Sequence, residues 1–218
     1  MFSVSTWAKD IYTANYELYW GSMKVGTVER KLSQNGDTYN LSSIAKPQGL
    51  AKLFSKGIVE KSRFRLNGGK VLSLEYYYEQ RGKEDRTIKH RYQWSTNALN
   101  IDKPQKMTVN NIAANTIDLL SFQHLVSMGL ASGKTDFSGS VYKKSTEPDL
   151  YTLKVKGKEK VDTPAGKLVA TRIGRTNAKG KNFNLWCAES LSYLPVKIEY
   201  TTRKGDLARM LLTKVKIH

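Results

Sequence analysis

Seven aromatic side chains fall at alternating positions in three stretches of this chain: Tyr12, Tyr16 and Trp20, then Tyr76 and Tyr78, then Tyr92 and Trp94. Successive side chains of a strand point to opposite faces, so each stretch gathers its rings on one side. Phenol and indole rings build an apolar wall with polar tips, the chemistry of a site for a lipid-like amphiphile or a glycan. The same rings serve equally well as a filled core whose hydroxyls and indoles find internal partners. Both readings stand at this point.

Lys154, Lys156, Lys158 and Lys160 alternate along another stretch, opposite Leu153, Val155 and Val161. Four like charges on one face repel one another. An anionic head group or a phosphate would offset that repulsion, and so would plain hydration of an outer face.

Catalytic chemistry finds little footing. His90, His124 and His218 are scattered, with no carboxylates at ligand spacing, which predicts structural histidines and no metal site. Cys187 alternates with Phe183 and Leu185 on an apolar face, whereas a reactive thiolate needs a cationic, partly exposed setting. Glu84-Asp85 reads as a turn, Glu147-Pro148-Asp149 as a loop, and Glu189 and Glu199 face outward by alternation. Nucleophile elbows and phosphate loops do not occur in the chain. The expectation is a non-enzymatic protein without cofactors.

The elements that would position these residues are short and two-faced. Asn35-Gly36, Asn67-Gly68-Gly69, Gly82-Lys83, Ala165-Gly166, Lys179-Gly180 and Lys204-Gly205 each separate two alternating stretches. Turn dipeptides at that rhythm predict consecutive hairpins and an antiparallel sheet. Along one strand Leu72 and Leu74 are expected to share a face with Tyr76 and Tyr78; along the next, Ile88, His90, Tyr92 and Trp94 share one. One stretch breaks the rule. Ile117, Leu120, Phe122, His124, Leu125 and Met128 are spaced for an amphipathic helix over about 115–131, with Asn115 or Thr116 as N-cap and Asp118 in the first turn. A single helix in a β chain must bury its apolar stripe, and the hollow of a curved sheet offers the place. The expected architecture is therefore mainly β: a curved antiparallel sheet forming an open barrel around one helix. Residues 1–9 read as a tail left by a signal region or an expression start, and 10–218 as a single domain.

The chain has 218 residues with 36 Lys and Arg against 19 Asp and Glu, a formal net charge of +17. Such a field favours anionic partners: phospholipid, lipopolysaccharide or acidic glycan. Nucleic acid is disfavoured because no segment interleaves clustered arginine with aromatics. Roughly 18 consecutive apolar residues are needed to cross a bilayer as a helix, and no such run occurs, so no transmembrane segment is expected.

Asp118-Leu-Leu-Ser121 opening a helix, Gly133, Thr163-Pro-Ala-Gly166 before a strand, Leu185-Trp186, Leu194-Pro-Val-Lys197-Ile198-Glu199 and a late turn at Gly205 follow one another in a known order. The chain resembles the Gram-negative envelope proteins catalogued as domain of unknown function 3108, from about Tyr12 to the C-terminus. The resemblance implies export to the periplasm and no assigned activity. In layout the chain is similar, more weakly, to the periplasmic lipoprotein carriers, whose unclosed β-barrel wraps a helix and shelters acyl chains. It departs from them in having no lipobox cysteine and a lining rich in tyrosine. The resulting expectation is a periplasmic binder of an amphiphile or envelope glycan. The alternative is an envelope scaffold with a filled core that docks a partner protein through its basic surface.

Overall fold

The computed structural model describes residues 8–82, 85–142, 146–176, 182–201 and 205–218. The tail residues 1–7 lie outside them, as do Glu84 and the turn positions Lys83, Lys179-Gly180 and Lys204.

Hairpin follows hairpin through the first half: β1 (Lys9–Trp20), β2 (Met23–Asn35), β3 (Thr38–Pro47), β4 (Ser55–Asn67), β5 (Lys70–Gly82), β6 (Arg86–Gln93), β7 (Ala98–Asp102) and β8 (Lys106–Val109). One helix, α1 (Leu119–Ala131), interrupts. The second half supplies β9 (Asp136–Val141), β10 (Asp149–Thr163), β11 (Gly166–Thr176), β12 (Asn182–Ala188), β13 (Leu194–Thr201) and β14 (Leu207–Ile217). All the strands join one antiparallel sheet, ordered β8 back to β1 and then β14 back to β9. The two ends of the chain meet in its middle, with Tyr12 opposite Ile217 and Trp20 opposite Ala208. β8 and β9 are left as edges, so the sheet is not closed into a barrel. The open, curved antiparallel sheet with one helix is thus the architecture that alternation predicts.

β1 begins at Lys9, already paired with Gln34. β7 and β8 are strands that alternation does not announce. They are short, and β7 buries both Ala98 and Leu99 in succession. Bulges correct two of the expected faces. Across from β4, Arg63 pairs with Glu75 but Phe64 with Ser73, so Leu74 is the extra residue. An inserted residue swaps the faces beyond it. Val71 and Ser73, not Leu72 and Leu74, therefore stand with Tyr76 on the buried side.

The second bulge is in the lysine strand. Val155 pairs with Ile173 and Gly157 with Arg172, leaving Lys156 as the insertion. Lys154 is consequently on one face, while Lys158 and Lys160 pair with Thr171 and Val169 on the other. The four lysines are all exposed but do not form a single-faced row. Lys154 reaches Asp136 at 3.5 Å and Lys158 reaches Glu189 at 2.9 Å, so intramolecular carboxylates offset part of the repulsion.

The main core fills the concave side of the sheet around α1. Leu120, Phe122, Val126 and Leu130 of the helix are buried against Phe64, Val71, Leu99, Phe137 and Leu153. His124 packs against both Tyr39 and Phe64, which stack on each other at 5.5 Å; its ring centroid lies 6.1 and 5.1 Å from theirs. A second core joins Ala14, Tyr16, Val28 and Leu212 to Val161, Ala170, Trp186 and Ala188. β12 is therefore buried on both sides, since Leu185 and Cys187 belong to the first core. The tip of the β10–β11 hairpin folds back onto the sheet, where the Ala165 N–H donates to the Leu212 carbonyl at 3.0 Å.

Candidate functional site

Asp118 organises the concave side. The expected cap at Asn115 or Thr116 gives way to Asp118, whose side chain accepts from the N–H groups of Leu120 and Ser121. Residues 115–117 instead bond β9: the Ser140 N–H donates to the Asn115 carbonyl at 3.1 Å, and the Ile117 N–H donates to the Ser140 carbonyl at 3.0 Å. A carboxylate is the stronger cap because it carries charge at the positive end of the helix. Its Oδ2 also accepts from Ser62 (2.8 Å), Ser73 (2.7 Å) and Ser121 (2.7 Å), so strands β4 and β5 are pinned to the helix N-terminus. Burial raises the Asp118 pKa, and these hydrogen bonds oppose the rise. With its oxygens so fully engaged, the group reads as an anchor.

Beside that anchor lies a hollow of about 210 Å³. Tyr76, Tyr78 and Ile88 of the sheet wall it on one side, Leu119 and Tyr142 on another, and Glu60 and Arg86 reach it with charged groups. The Tyr76 hydroxyl donates to Glu60 Oε1 at 2.6 Å, and that of Tyr78 donates to Gln80 at 2.8 Å. Burial lifts the Glu60 carboxyl above the usual range, with Arg30 and the Tyr76 hydrogen bond opposing. The result is a mostly apolar wall with a carboxyl, a guanidinium and phenols at fixed points. It can take a chain or ring by contact and orient one polar group by hydrogen bonding.

The seven expected aromatics do not form one lining. Tyr76 and Tyr78 alone reach this hollow. Tyr92 and Trp94 stack on each other at 6.1 Å, and the Trp94 Nε1–H donates to the Ser73 carbonyl at 2.7 Å. Tyr16 is buried in the second core, where its hydroxyl donates to the Pro195 carbonyl at 2.9 Å. Tyr12 packs against both cores, and burial pushes its phenol up to about 12. Trp20, expected on the concave side, is 47% exposed at the last position of β1. Arg30 is a feature that alternation alone does not flag as functional: it points inward, donates to Gln123 of the helix at 2.7 Å and lies 5.8 Å from the Tyr16 ring centroid. Of the hollow's walls, Leu119 and Tyr142 were invisible beforehand because they approach from outside the strands that carry the tyrosines.

Further concavities lie among the described residues, one of them of about 430 Å³ between Lys158, Lys167, Leu168 and Glu189. A cleft of about 390 Å³ lies at the other end of α1, between Val71, Ile117, Leu125, Met128 and Phe137, with Lys70 and Lys134 beside them. On the outer face of β2–β6, a groove of about 370 Å³ is lined by Lys31, Lys61, Arg63, Lys89 and Arg91, with Glu75 in their midst. Cys187 is fully buried, and burial pushes its thiol up to about 12. Among the described residues, no three His, Cys, Asp or Glu side chains gather as metal ligands would. Nor is any described helix long and apolar enough to cross a membrane.

The family model "Protein of unknown function (DUF3108)" matches residues 15–213. The chain belongs to that family. Among solved structures, this DUF3108 chain is similar to the crystal structure of a β-barrel-like protein of domain of unknown function DUF1849 from Brucella abortus. The TM-score is 0.58 at 9% identity, covering 96% of this chain and 98% of that one. So distant a likeness speaks to the fold alone. No curated protein matches the chain in sequence.

Proposed function

We propose that this DUF3108 protein is a non-enzymatic binding protein of the periplasm that takes a lipid-like amphiphile or envelope glycan into the hollow beside Asp118. The observation that carries the reading is the hollow itself. Tyr76, Tyr78, Ile88, Leu119 and Tyr142 leave about 210 Å³ unfilled at the N-terminal end of α1, with Glu60 and Arg86 at its wall. That volume suits the end of an acyl chain or one sugar ring and excludes a whole phospholipid. Removal of apolar ligand surface from water is worth about 25 cal/mol per Å², and Glu60 and Arg86 fix the polar end. Lys154, Lys156, Lys158 and Lys160 drop back to a supporting role, because the four do not share one face. Titration of a solvatochromic fatty-acid probe tests the reading. Tyr78→Ala should weaken binding about tenfold at low and high salt alike, since apolar contact is not screened. A parent protein that leaves the probe in water refutes it.

A specific observation favours a second reading, an envelope scaffold. The basic groove on β2–β6 sets five cationic side chains around one carboxylate, Glu75, which is already paired with Arg63 at 3.1 Å. An acidic protein surface would complement it. Binding of a partner that Lys61→Glu and Arg91→Glu abolish, in a protein that binds no probe, would make this the function.

A further inference from the structure

One end of the sheet carries an apolar cap that the core does not use. Between β3 and β4 the chain makes a single 3₁₀ turn, Gly49–Leu53, none of whose residues is buried. Leu50, Leu53 and the following Phe54 are 70%, 74% and 65% exposed. The turn touches β2, and the Gln48 N–H donates to the Val25 carbonyl at 2.8 Å, which brings it beside the β1–β2 turn. There Met23 is 60% exposed and pairs with Trp20. Five large apolar side chains at one tip face water for no gain in stability.

The charge around them is mostly positive: Asp85 accepts from the Gly82 N–H beside Ser55, while Glu17 and Glu79 are already paired with Lys24 and Arg81. From Thr38 to Val59 the sequence contains Lys46, Lys52 and Lys56 and not one Asp or Glu. All three lysines are exposed. Apolar side chains and an indole at the tip, with a collar of lysine behind, match the two layers of an anionic bilayer surface: acyl boundary below, phosphate above. Protein–protein interfaces are depleted in lysine relative to the rest of the surface, which favours the lipid occupant here.

We infer that the tip formed by the β1–β2 turn and the segment Gly49–Lys56 docks onto anionic lipid bilayers, with Leu50, Leu53 and Phe54 inserting to the acyl boundary. Tyr78 and Ile88 sit in the same half of β4–β6 as this tip, because Tyr78 pairs with Glu60 and Ile88 while Gly82 pairs with Ser55. The hollow therefore lies toward the membrane in the docked protein. The docking itself goes beyond the binding reading and stands without it.

The test is sedimentation with vesicles of phosphatidylglycerol and phosphatidylethanolamine, and separately of phosphatidylcholine alone. The parent is expected to bind the anionic vesicles at least tenfold more tightly than the neutral ones. The double variant Leu53→Asp/Phe54→Asp should lose at least tenfold in that affinity while melting with the parent, since both side chains are exposed. Lys52→Glu/Lys56→Glu should lose the preference for anionic lipid. Equal sedimentation of the parent and the aspartate variant overturns the inference, as does a parent that stays in the supernatant. Binding that the lysine variant loses and the aspartate variant keeps also overturns it, because charge alone would then hold the protein to the surface. So would a tip that binds a protein partner and no vesicle.

Discussion

His124 shows how a single side chain ties the helix to the sheet. Its ring lies against the stacked pair of Tyr39 and Phe64, and burial pulls its pKa from 6.5 down to about 4. The folded protein therefore holds His124 neutral where the unfolded chain would protonate it. Between about pH 6.5 and 4 the unfolded state binds more protons, so this residue makes stability fall as pH falls. The loss amounts to about 2–3 kcal/mol across the window. Glu60 and Asp118, with pKa values raised by burial, act in the opposite sense, so the difference between two proteins is the readout. His124→Phe should lose less stability than the parent between pH 6.5 and 4 in urea denaturation; parallel slopes would place the imidazole in water. At this scale the sequence was informative about burial. The apolar alternation around Cys187 foretold a buried thiol, and burial is what the structure shows. Alternation puts the lysines at 154–160 on one face and the structure does not, because a bulge is a backbone event that residue types do not announce.

At the scale of elements, alternation and turn dipeptides located twelve strands and the helix, because apolar periodicity records which side meets the core. The boundaries obeyed tertiary contacts. Ser62 and Ser73, far away in sequence, converge on Asp118 and so move the helix start from the expected 115 or 116 to 119. The helix is held just as specifically on its other side. A methyl group on Gly139 of β9 would lie 2.6 Å from the Ile117 side chain and 3.2 Å from the Phe122 ring, so the absent side chain is what lets α1 approach. Phe122 is fully buried there. Phe122→Ala should cost about 3–5 kcal/mol, seen as an early midpoint in denaturant titration with the slope unchanged. A variant with the parent's midpoint would mean that α1 is not held in the concave side.

For the whole molecule, the decisive property is that the sheet wraps a helix without closing. The hairpin order made the curvature legible in the sequence. What remained hidden was how completely α1 would fill the hollow, since that depends on Leu119, Tyr142 and Asp118 meeting strands that are remote along the chain. The aromatic set accordingly divides: five of the seven serve packing, strand ends or internal hydrogen bonds, and Tyr76 and Tyr78 border the space left over. The net charge of +17 belongs to this scale as well, concentrating anionic surfaces and ligands near the protein through long-range attraction that salt weakens. The most direct test of binding in the hollow is photo-crosslinking with a fatty acid carrying a diazirine near its methyl end, followed by digestion and mass spectrometry. Binding in the hollow should give adducts on Tyr76, Tyr78, Leu119 or Tyr142, competed by unlabelled fatty acid. Adducts confined to other surfaces, or none under conditions where the probe is in excess, would contradict it.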